Sequence, residues 1–192
     1  MTNFLSQTLD GINPGLMEFC DGYGCVPAKF MFVGISAGRL GALISKVPFT
    51  KDASGRIFQR CLNRLGLSKS DEFSLKPELV DCYITNLVKG RCLTDEGLNR
   101  LPTSEEIDYW IPHLVGEIKR VQPKLILALG GLVYDAFVLK MNNVSTLGEI
   151  GYPFKVVFLN HPRAYQARGA LAKDSMSFRR MVSDYRRMIN PV

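Results

Sequence analysis

Four short apolar runs alternate along the chain with segments whose apolar residues recur at helical spacing. The runs are KFMFVGI (29–35), DCYITNL (81–87), KLILALG (124–130) and KVVFLN (155–160). Each has the length of a buried strand and is bounded by polar or turn-forming residues. Strands that alternate with helices indicate a parallel sheet covered on both faces. We therefore predict a three-layer α/β/α fold with a central, mainly parallel four-stranded sheet.

Four helices are predicted between and after these strands. Ser54 is a candidate N-cap of the first helix and Gly66 a candidate end, while Ser104 is a candidate N-cap of the second. The second also has acidic residues at its start and basic residues at its end, as the helix dipole prefers. The remaining two span 132–141 and 175–188.

Two glycine-rich turns compete as the ligand-binding element. Ligands of parallel sheets bind at the carboxyl ends of the strands. The turn GISAGRLGA (34–42) follows the strand FMFVG directly, whereas GINPGL (11–16) follows a polar segment and is not delivered by a strand. We predict that the first lines the site and that the second is a loop turn.

Length and composition indicate one domain spanning 1–192, with 46% hydrophobic and 22% charged residues. No apolar run approaches the roughly 20 residues that cross a bilayer. The N-terminus lacks the basic start and apolar stretch of a signal peptide. These features predict a cytoplasmic protein without a membrane partner, and the absence of a heptad pattern favours a monomer.

The net charge of +6 and the isoelectric point near 9.1 favour a polyanionic partner. Most of the excess lies near the C-terminus, where seven basic residues stand against two acidic ones. The basic residues are Arg163, Arg168, Lys173, Arg179, Arg180, Arg186 and Arg187. They form either the solvated face of a C-terminal helix or a surface for nucleic acid.

Three side chains at the predicted working edge have chemistry suited to a planar, polar ligand. Phe49 lies among polar residues in a loop, where its ring is either a stacking platform or a loop anchor. Asn86 ends a strand, and its amide offers a donor and an acceptor to a base edge unless it is only a turn former. His161 follows the last strand and is the better placed of two histidines, although a lone histidine is usually structural.

Polar residues near these three are candidates for phosphate and DNA contacts. The SGR segment opens a helix, which is a natural cradle for a phosphate oxygen. Basic residues follow Asn86, and an arginine and a tyrosine follow His161 in NHPRAY, where they could position or wedge a duplex. The predicted DNA-binding residues are Ser54, Arg56, Lys89, Arg91, Arg163, Tyr165 and Arg168.

The ordered set of motifs from Lys29 to about Arg168 resembles the uracil-DNA glycosylase superfamily, within it the iron–sulfur families four and five. The motifs are GISAGRLGA, PFTKDASGRIFQRCLNRLGL, YITNLVKGR, PTSEEI with QPKLILALGGLVYDAF, and NHPRAY. The resemblance implies a base pocket lined by backbone groups of Gly34, Ile35, Ser36 and Ala37. It implies that Phe49 stacks on a flipped base, that Asn86 reads its polar edge and that His161 stabilises the departing base.

The first motif is closer to family five than to family four. Family four has an acidic residue directly after the first glycine, whereas this chain has Ile35 there and no acid before Asp52. Glycosidic cleavage passes through an oxocarbenium-like state that a nearby carboxylate would stabilise. Without one, catalysis must depend on His161 and on hydrogen bonds to the leaving base.

The five cysteines do not indicate a disulfide framework, because the number is odd and no secretion signal is present. Cys61 and Cys82 lie in apolar patterns and are predicted core residues. Cys20, Cys25 and Cys92 are the candidate metal ligands, the first two because they lie in the loop EFCDGYGC.

The families that the chain resembles carry four cysteine ligands, and the third and fourth expected positions are Gly90 and a residue near Trp110. We predict that the chemistry requires no cofactor, and a 4Fe-4S cluster stays open as the alternative.

The leading hypothesis is a monofunctional DNA glycosylase of base excision repair. It would hydrolyse the N-glycosidic bond of uracil in DNA, with hypoxanthine or other deaminated bases as further substrates, and would associate with the nucleoid through DNA. The first alternative is a catalytically silent DNA-binding relative. The second is an α/β protein that binds a small nucleotide at the GISAGRLGA turn, with little dependence on salt.

Overall fold

The central sheet has five strands, and four of them are parallel. The computed structural model describes residues 19–141, 153–166, 172 and 175–190. The strands are β1 (Tyr23–Gly24), β2 (Phe30–Ser36), β3 (Cys82–Val88), β4 (Leu125–Leu129) and β5 (Lys155–Leu159). Their spatial order is β1-β3-β2-β4-β5, and only β1 is antiparallel to its neighbour.

The mainly parallel sheet is confirmed, and the predicted number of four strands is corrected to five. The additional strand β1 contains two residues, which is too short for an alternating pattern to reveal it. It exists because Tyr23 and Gly24 pair with Ile84 and Tyr83 on the outer edge of β3.

Helices cover both faces of this sheet, as predicted. They are α1 (Ala42–Ser45), α2 (Ala53–Arg64), α3 (Ser104–Val121), α4 (Gly131–Asp135), α5 (Pro162–Gln166) and α6 (Met176–Ile189). A π-helical stretch, Ala136–Met141, continues α4. No helix in the described part of the chain is both long and apolar enough to cross a membrane.

Two of the predicted helix caps are wrong by one or two residues. Asp52, not Ser54, caps α2, and its carboxylate accepts a hydrogen bond from the Gly55 backbone at 2.7 Å. Thr103, not Ser104, caps α3 and forms a reciprocal capping box with Glu106. In both helices an earlier oxygen-bearing side chain reaches the free N–H groups of the first turn.

Most of the described core consists of two large apolar clusters, one on each face of the sheet, beside a smaller third cluster. One lies between the sheet and α3 with α4, and the other between the sheet and α2 with α6. Cys61 and Cys82 are fully buried in the second cluster, which confirms their predicted core positions. The GINPGL turn (11–16) and Arg168 lie outside the described residues.

Candidate active site

The carboxyl ends of β2 and β3 bring together three of the predicted site residues. Gly34 and Asn86 are direct partners in the parallel register of these strands. A Cβ atom placed on Gly34 would lie 2.6 Å from Asn86 Oδ1 and closer still to Phe49 Cζ. The aromatic edge and the amide oxygen therefore converge on one backbone position that carries no side chain.

Phe49 occupies an unusual backbone conformation at this position. Its φ is +53°, in the left-handed region that bulky residues rarely adopt. Its ring lies 4.6 Å from the Phe58 ring and 6.1 Å from the His161 ring, measured between centroids. The half-buried ring is thus supported by the core and turned toward the other site residues.

His161 follows β5 and is held as a neutral hydrogen-bond donor. Its Nδ1 accepts the backbone N–H of Arg163 at 3.2 Å, so the proton of the neutral ring lies on Nε2. Burial lowers the pKa of His161 to about 4, with a further contribution from the Arg163 charge. The imidazole is therefore uncharged at neutral pH.

His161 and Ile35 lie on either side of Gly130, at the point where the strand order reverses. A Cβ on Gly130 would lie 3.9 Å from His161 Cβ and 4.0 Å from Ile35 Cδ1. The chain runs outward from β2 to β3 on one side and through β4 to β5 on the other. Crevices at such reversals are the usual ligand sites of open parallel sheets.

The first glycine-rich loop has a carboxylate neighbour that its own sequence lacks. Ala37 is buried with Ala42 and Leu43, which anchors the loop. A Cβ on Gly41 would lie 2.6 Å from Asp52 Oδ2. Burial raises the pKa of Asp52, while its hydrogen bond from Gly55 lowers it. Asp52 thus lies against the loop although the motif itself carries Ile35 in the acidic position.

Four of the predicted DNA-binding residues lie at or near the surface. Arg56 and Arg163 are exposed, and Ser54 and Arg91 are half-buried. Ser54 donates a hydrogen bond to Gln166 at 3.0 Å, which connects α2 to α5. Ser36, at the end of β2, is likewise half-buried.

Two other predicted DNA-binding residues lie in the interior, and their positions do not fit the prediction. Lys89 is 2% exposed and forms an ion pair with Glu117 at 2.5 Å. Tyr165 is 1% exposed and donates a hydrogen bond to Asp184 at 2.7 Å. A DNA phosphate or a base step cannot reach either side chain, because each is already enclosed by packed protein.

The Lys89–Glu117 pair joins three segments of the chain. The Lys89 ammonium also donates to the Asn86 carbonyl at 2.7 Å and to the Thr85 hydroxyl. Glu117 accepts a hydrogen bond from the Gly22 backbone at 3.0 Å. Burial lowers the pKa of Lys89 and Glu117 opposes this effect, so the charged ammonium depends on its partner. The network holds the end of β3, the C-terminal part of α3 and the segment before β1 together.

The predicted metal ligands are not arranged for a common cluster. The Cys20 backbone pairs with Lys89 at one end of β3, and the Cys25 backbone pairs with Cys82 at the other. Four residues lie between the two cysteines, which in an extended segment corresponds to a separation of about 15 Å. Cys92 belongs to a different buried cluster from Cys20.

The remaining donors near these cysteines do not complete a cluster site. Burial raises the pKa of the Cys20 thiol to about 12 and that of the Cys92 thiol to about 11. Trp110, near the fourth expected ligand position, is a core residue. Within the described ranges no three Cys, His, Asp or Glu side chains are grouped so as to hold a metal ion. The residues present therefore do not fit a 4Fe-4S cluster.

Sequence reasoning missed two polar residues that contact the site residues from inside. Gln59 on α2 is fully buried and donates to the Phe49 carbonyl at 3.0 Å. Glu117 on α3 reaches Asn86 only through Lys89. Sequence analysis could have found both residues, because each is a polar side chain at a position that the helical pattern assigns to the apolar face.

Comparison with known proteins identifies the family to which this site belongs. The profile of the Uracil DNA glycosylase superfamily matches residues 22–186. The chain is 28% identical to a type-4 uracil-DNA glycosylase of Archaeoglobus fulgidus, over 82% of this chain and 76% of that protein. It is 31% identical to the type-4 enzyme of Saccharolobus solfataricus, over 74% of this chain and 64% of that protein.

A relative of the other type is also found. The chain is 33% identical to a type-5 uracil-DNA glycosylase of Pyrobaculum aerophilum, over 65% of this chain and 54% of that protein. The chain thus spans less than two thirds of the length of two of these three relatives. The protein belongs to the uracil-DNA glycosylase superfamily. The closer match to family five stays a prediction from the first motif.

Proposed function

We propose that this protein excises uracil from DNA by hydrolysing the N-glycosidic bond. The observation that carries the proposal is the convergence of the Phe49 ring and the Asn86 amide on the bare backbone of Gly34. Because Gly34 has no side chain, the Phe49 ring edge and Asn86 Oδ1 can lie directly against its backbone, and we call the site that these two groups border the base slot. His161 lies next to this slot, 6.1 Å from Phe49 between ring centroids.

Base selection depends on Phe49 and Asn86. A uracil turned out of the DNA stack can lie against the Phe49 ring, and its polar edge then faces the amide. The Asn86 side-chain NH₂ can donate to a carbonyl oxygen of the base, while Asn86 Oδ1 accepts the ring N–H of the base. Cytosine has an amino group in place of that carbonyl and an unprotonated ring nitrogen in place of that N–H. The same orientation of the amide would then place a donor against a donor and an acceptor against an acceptor. This pairing supports uracil as the substrate.

Bond cleavage depends on stabilisation of the departing base. When the C1′–N bond breaks, its electron pair leaves with the base, which becomes an anion. The neutral His161 ring donates its Nε2–H to a carbonyl oxygen of that anion. The sugar is left as an oxocarbenium ion, to which a water molecule adds at C1′ and then releases a proton to solvent. Because position 35 is Ile35, stabilisation of the leaving group has the larger role.

DNA is held from the same edge of the sheet by exposed basic residues. Arg163 lies two residues after His161 and its backbone N–H contacts the imidazole, and Arg56 in the first turn of α2 donates to the Lys51 carbonyl, two residues after Phe49. Ser54 and Arg91 lie at the same carboxyl edge. We propose that these residues contact the phosphates around the extruded nucleotide. We further propose that the enzyme acts as a monomer with a single domain and associates with the nucleoid through its DNA substrate.

An excision assay with two histidine variants tests the proposal. Single- and double-stranded oligonucleotides with one uracil or one hypoxanthine are incubated with excess protein and then treated with alkali to cleave abasic sites. We expect cleavage at uracil that falls by at least about 100-fold in His161→Ala. His113→Ala, which removes the exposed histidine of α3, is the control and should match the wild type.

Two results would contradict this proposal. Equal cleavage by wild type and His161→Ala would exclude the assigned role of the imidazole. No cleavage of either base, with salt-dependent DNA binding retained, would identify a silent DNA-binding relative instead.

A further inference from the structure

Phe49 is held in place by a neighbour that no sequence motif distinguishes. Its backbone has a φ of +53°, and Lys46 and Lys51 in the same loop have φ values of +58° and +69°. Left-handed conformations at side-chain-bearing residues persist only where surrounding structure imposes them, and they concentrate at functional sites. The loop therefore needs specific contacts to keep this geometry.

The first contact is steric and comes from the start of α2. A Cβ on Gly55 would lie 2.7 Å from the Phe49 carbonyl carbon and 2.8 Å from the Thr50 nitrogen. The glycine therefore allows the helix to press directly on the peptide that follows Phe49. This contact limits where the peptide can go but does not set the direction of its carbonyl.

The second contact is directional and comes from Gln59, one turn further along α2. Its Nε2 donates to the Phe49 carbonyl oxygen at 3.0 Å, and the side chain is fully buried. Its Oε1 is also buried and has no hydrogen-bond partner among the described residues. An unpaired buried amide oxygen is destabilising, whereas the hydrogen bond from Nε2 satisfies the Phe49 carbonyl, so a leucine at this position would remove one unpaired group and create another.

We propose that Gln59 is a positioning residue that fixes the Phe49 carbonyl and thereby aims the Phe49 ring at the base slot. The inference rests on the proposed function, because it assigns a role in aligning the extruded base. Gln59 touches no substrate in this arrangement. It acts through Phe49, whose ring reaches the space above Gly34.

The test compares Gln59→Leu with Asn63→Leu, a matched amide replacement one turn further along the same helix. Asn63 donates to the carbonyls of Ser68 and Ser70, both at 3.2 Å, away from the site. Single-turnover excision of uracil is measured at saturating enzyme, together with the thermal unfolding midpoint. We expect Gln59→Leu to lower the maximal rate by at least about tenfold, since small misplacements of a positioned group are costly. Its unfolding midpoint should stay well above the assay temperature, because the lost hydrogen bond and the removed unpaired oxygen have opposite effects on stability, and Asn63→Leu should keep the wild-type rate.

A double variant decides whether the effect passes through Phe49. In a Phe49→Ala background, Gln59→Leu should change the remaining rate by less than about twofold, because the group that it positions is gone. A fully additive loss in this background would overturn the proposal. So would a Gln59→Leu protein that is folded at the assay temperature and has the wild-type rate.

A spectroscopic measurement separates this proposal from the proposed function. Protein labelled with ¹³C at the carbonyls and rings of phenylalanine reports the Phe49 carbonyl shift and the contact between the Phe49 and Phe58 rings. Both signals should change in Gln59→Leu and should keep their wild-type values in Asn63→Leu. If the wild type excises no uracil, the proposed function fails, and these spectra still decide whether Gln59 sets the position of Phe49.

Discussion

At the scale of single residues, the base slot depends on the missing side chain of Gly34. We expect Gly34→Ala to lower uracil excision by at least about 100-fold, because the new Cβ would meet Asn86 Oδ1 at 2.6 Å and displace Phe49. Overpacking of this kind costs about 1–3 kcal/mol, so the protein should still fold. Single-turnover rates and thermal unfolding measure the two effects.

Gly116→Ala is the control for this substitution. Gly116 lies on α3, and a Cβ there would have no atom within 4 Å. Gly116→Ala should leave the rate of uracil excision unchanged and stabilise the helix by about 0.5–1 kcal/mol. A wild-type excision rate in Gly34→Ala would show that the base does not bind in this slot.

The half-buried imidazole of His161 gives the free energy of unfolding a specific dependence on pH. Its pKa is about 4 in the folded protein and about 6.5 in an unfolded chain. Between these values the unfolded chain binds a proton that the folded protein does not, so stability is full above pH 6.5 and falls as the pH drops toward 4. At pH 4.5 the loss should reach about 2 kcal/mol relative to pH 7.

Urea unfolding of the wild type and of His161→Gln at both pH values measures this loss. The difference between the two proteins isolates the contribution of His161 from that of the carboxyl groups. The excision rate should show no step near pH 6.5, because the ring is already neutral there. Such a step, or an identical pH dependence in both proteins, would contradict the assignment.

At the scale of elements, β3 and α3 are joined by the buried Lys89–Glu117 pair. Lys89→Met should destabilise the protein by about 3–5 kcal/mol, because it leaves a buried carboxylate without its partner. Lys89→Met combined with Glu117→Leu should recover much of this loss. Urea unfolding gives the free energies.

The chain supplies a matched surface pair as the control. Lys69 and Glu78 also lie 2.5 Å apart, but their side chains are 67% and 64% exposed. Lys69→Met should therefore lower the free energy of unfolding far less than Lys89→Met does. If Lys89 contacted DNA instead, its replacement would reduce the salt dependence of DNA binding, whereas the interior position predicts an unchanged slope.

The strands β2 to β5 were predictable from sequence because each apolar run is short and sharply bounded. Ligands of parallel sheets bind at the carboxyl ends of the strands, and this rule then selected Asn86 and His161. Lys89 was misplaced because the string NLVKGR has the polarity of an exposed loop. Its partner Glu117 is 28 positions away and is brought near only by tertiary packing. The left-handed backbone of Phe49 was equally hidden, because no local pattern requires it.

At the scale of the whole molecule, the cysteines predict a fold that does not depend on iron. Protein produced in iron-depleted medium should have the same unfolding midpoint as protein produced in iron-rich medium, because the Lys89–Glu117 network already holds the segment before β1 in place. Metal analysis and thermal unfolding of both preparations provide the comparison. Stoichiometric iron, with a lower midpoint after its removal, would contradict the prediction.

The short strand β1 also determines what the molecule presents to its neighbours in solution. Every residue of β3 is buried, and its outer edge is covered by a strap of residues 19–25. An uncovered apolar edge of this kind is a template for strand addition by another chain. Because backbone hydrogen bonds from this segment occupy the outer edge of β3, loss of the segment would leave that edge open to pairing with another chain, at a distance from the carboxyl ends of the strands.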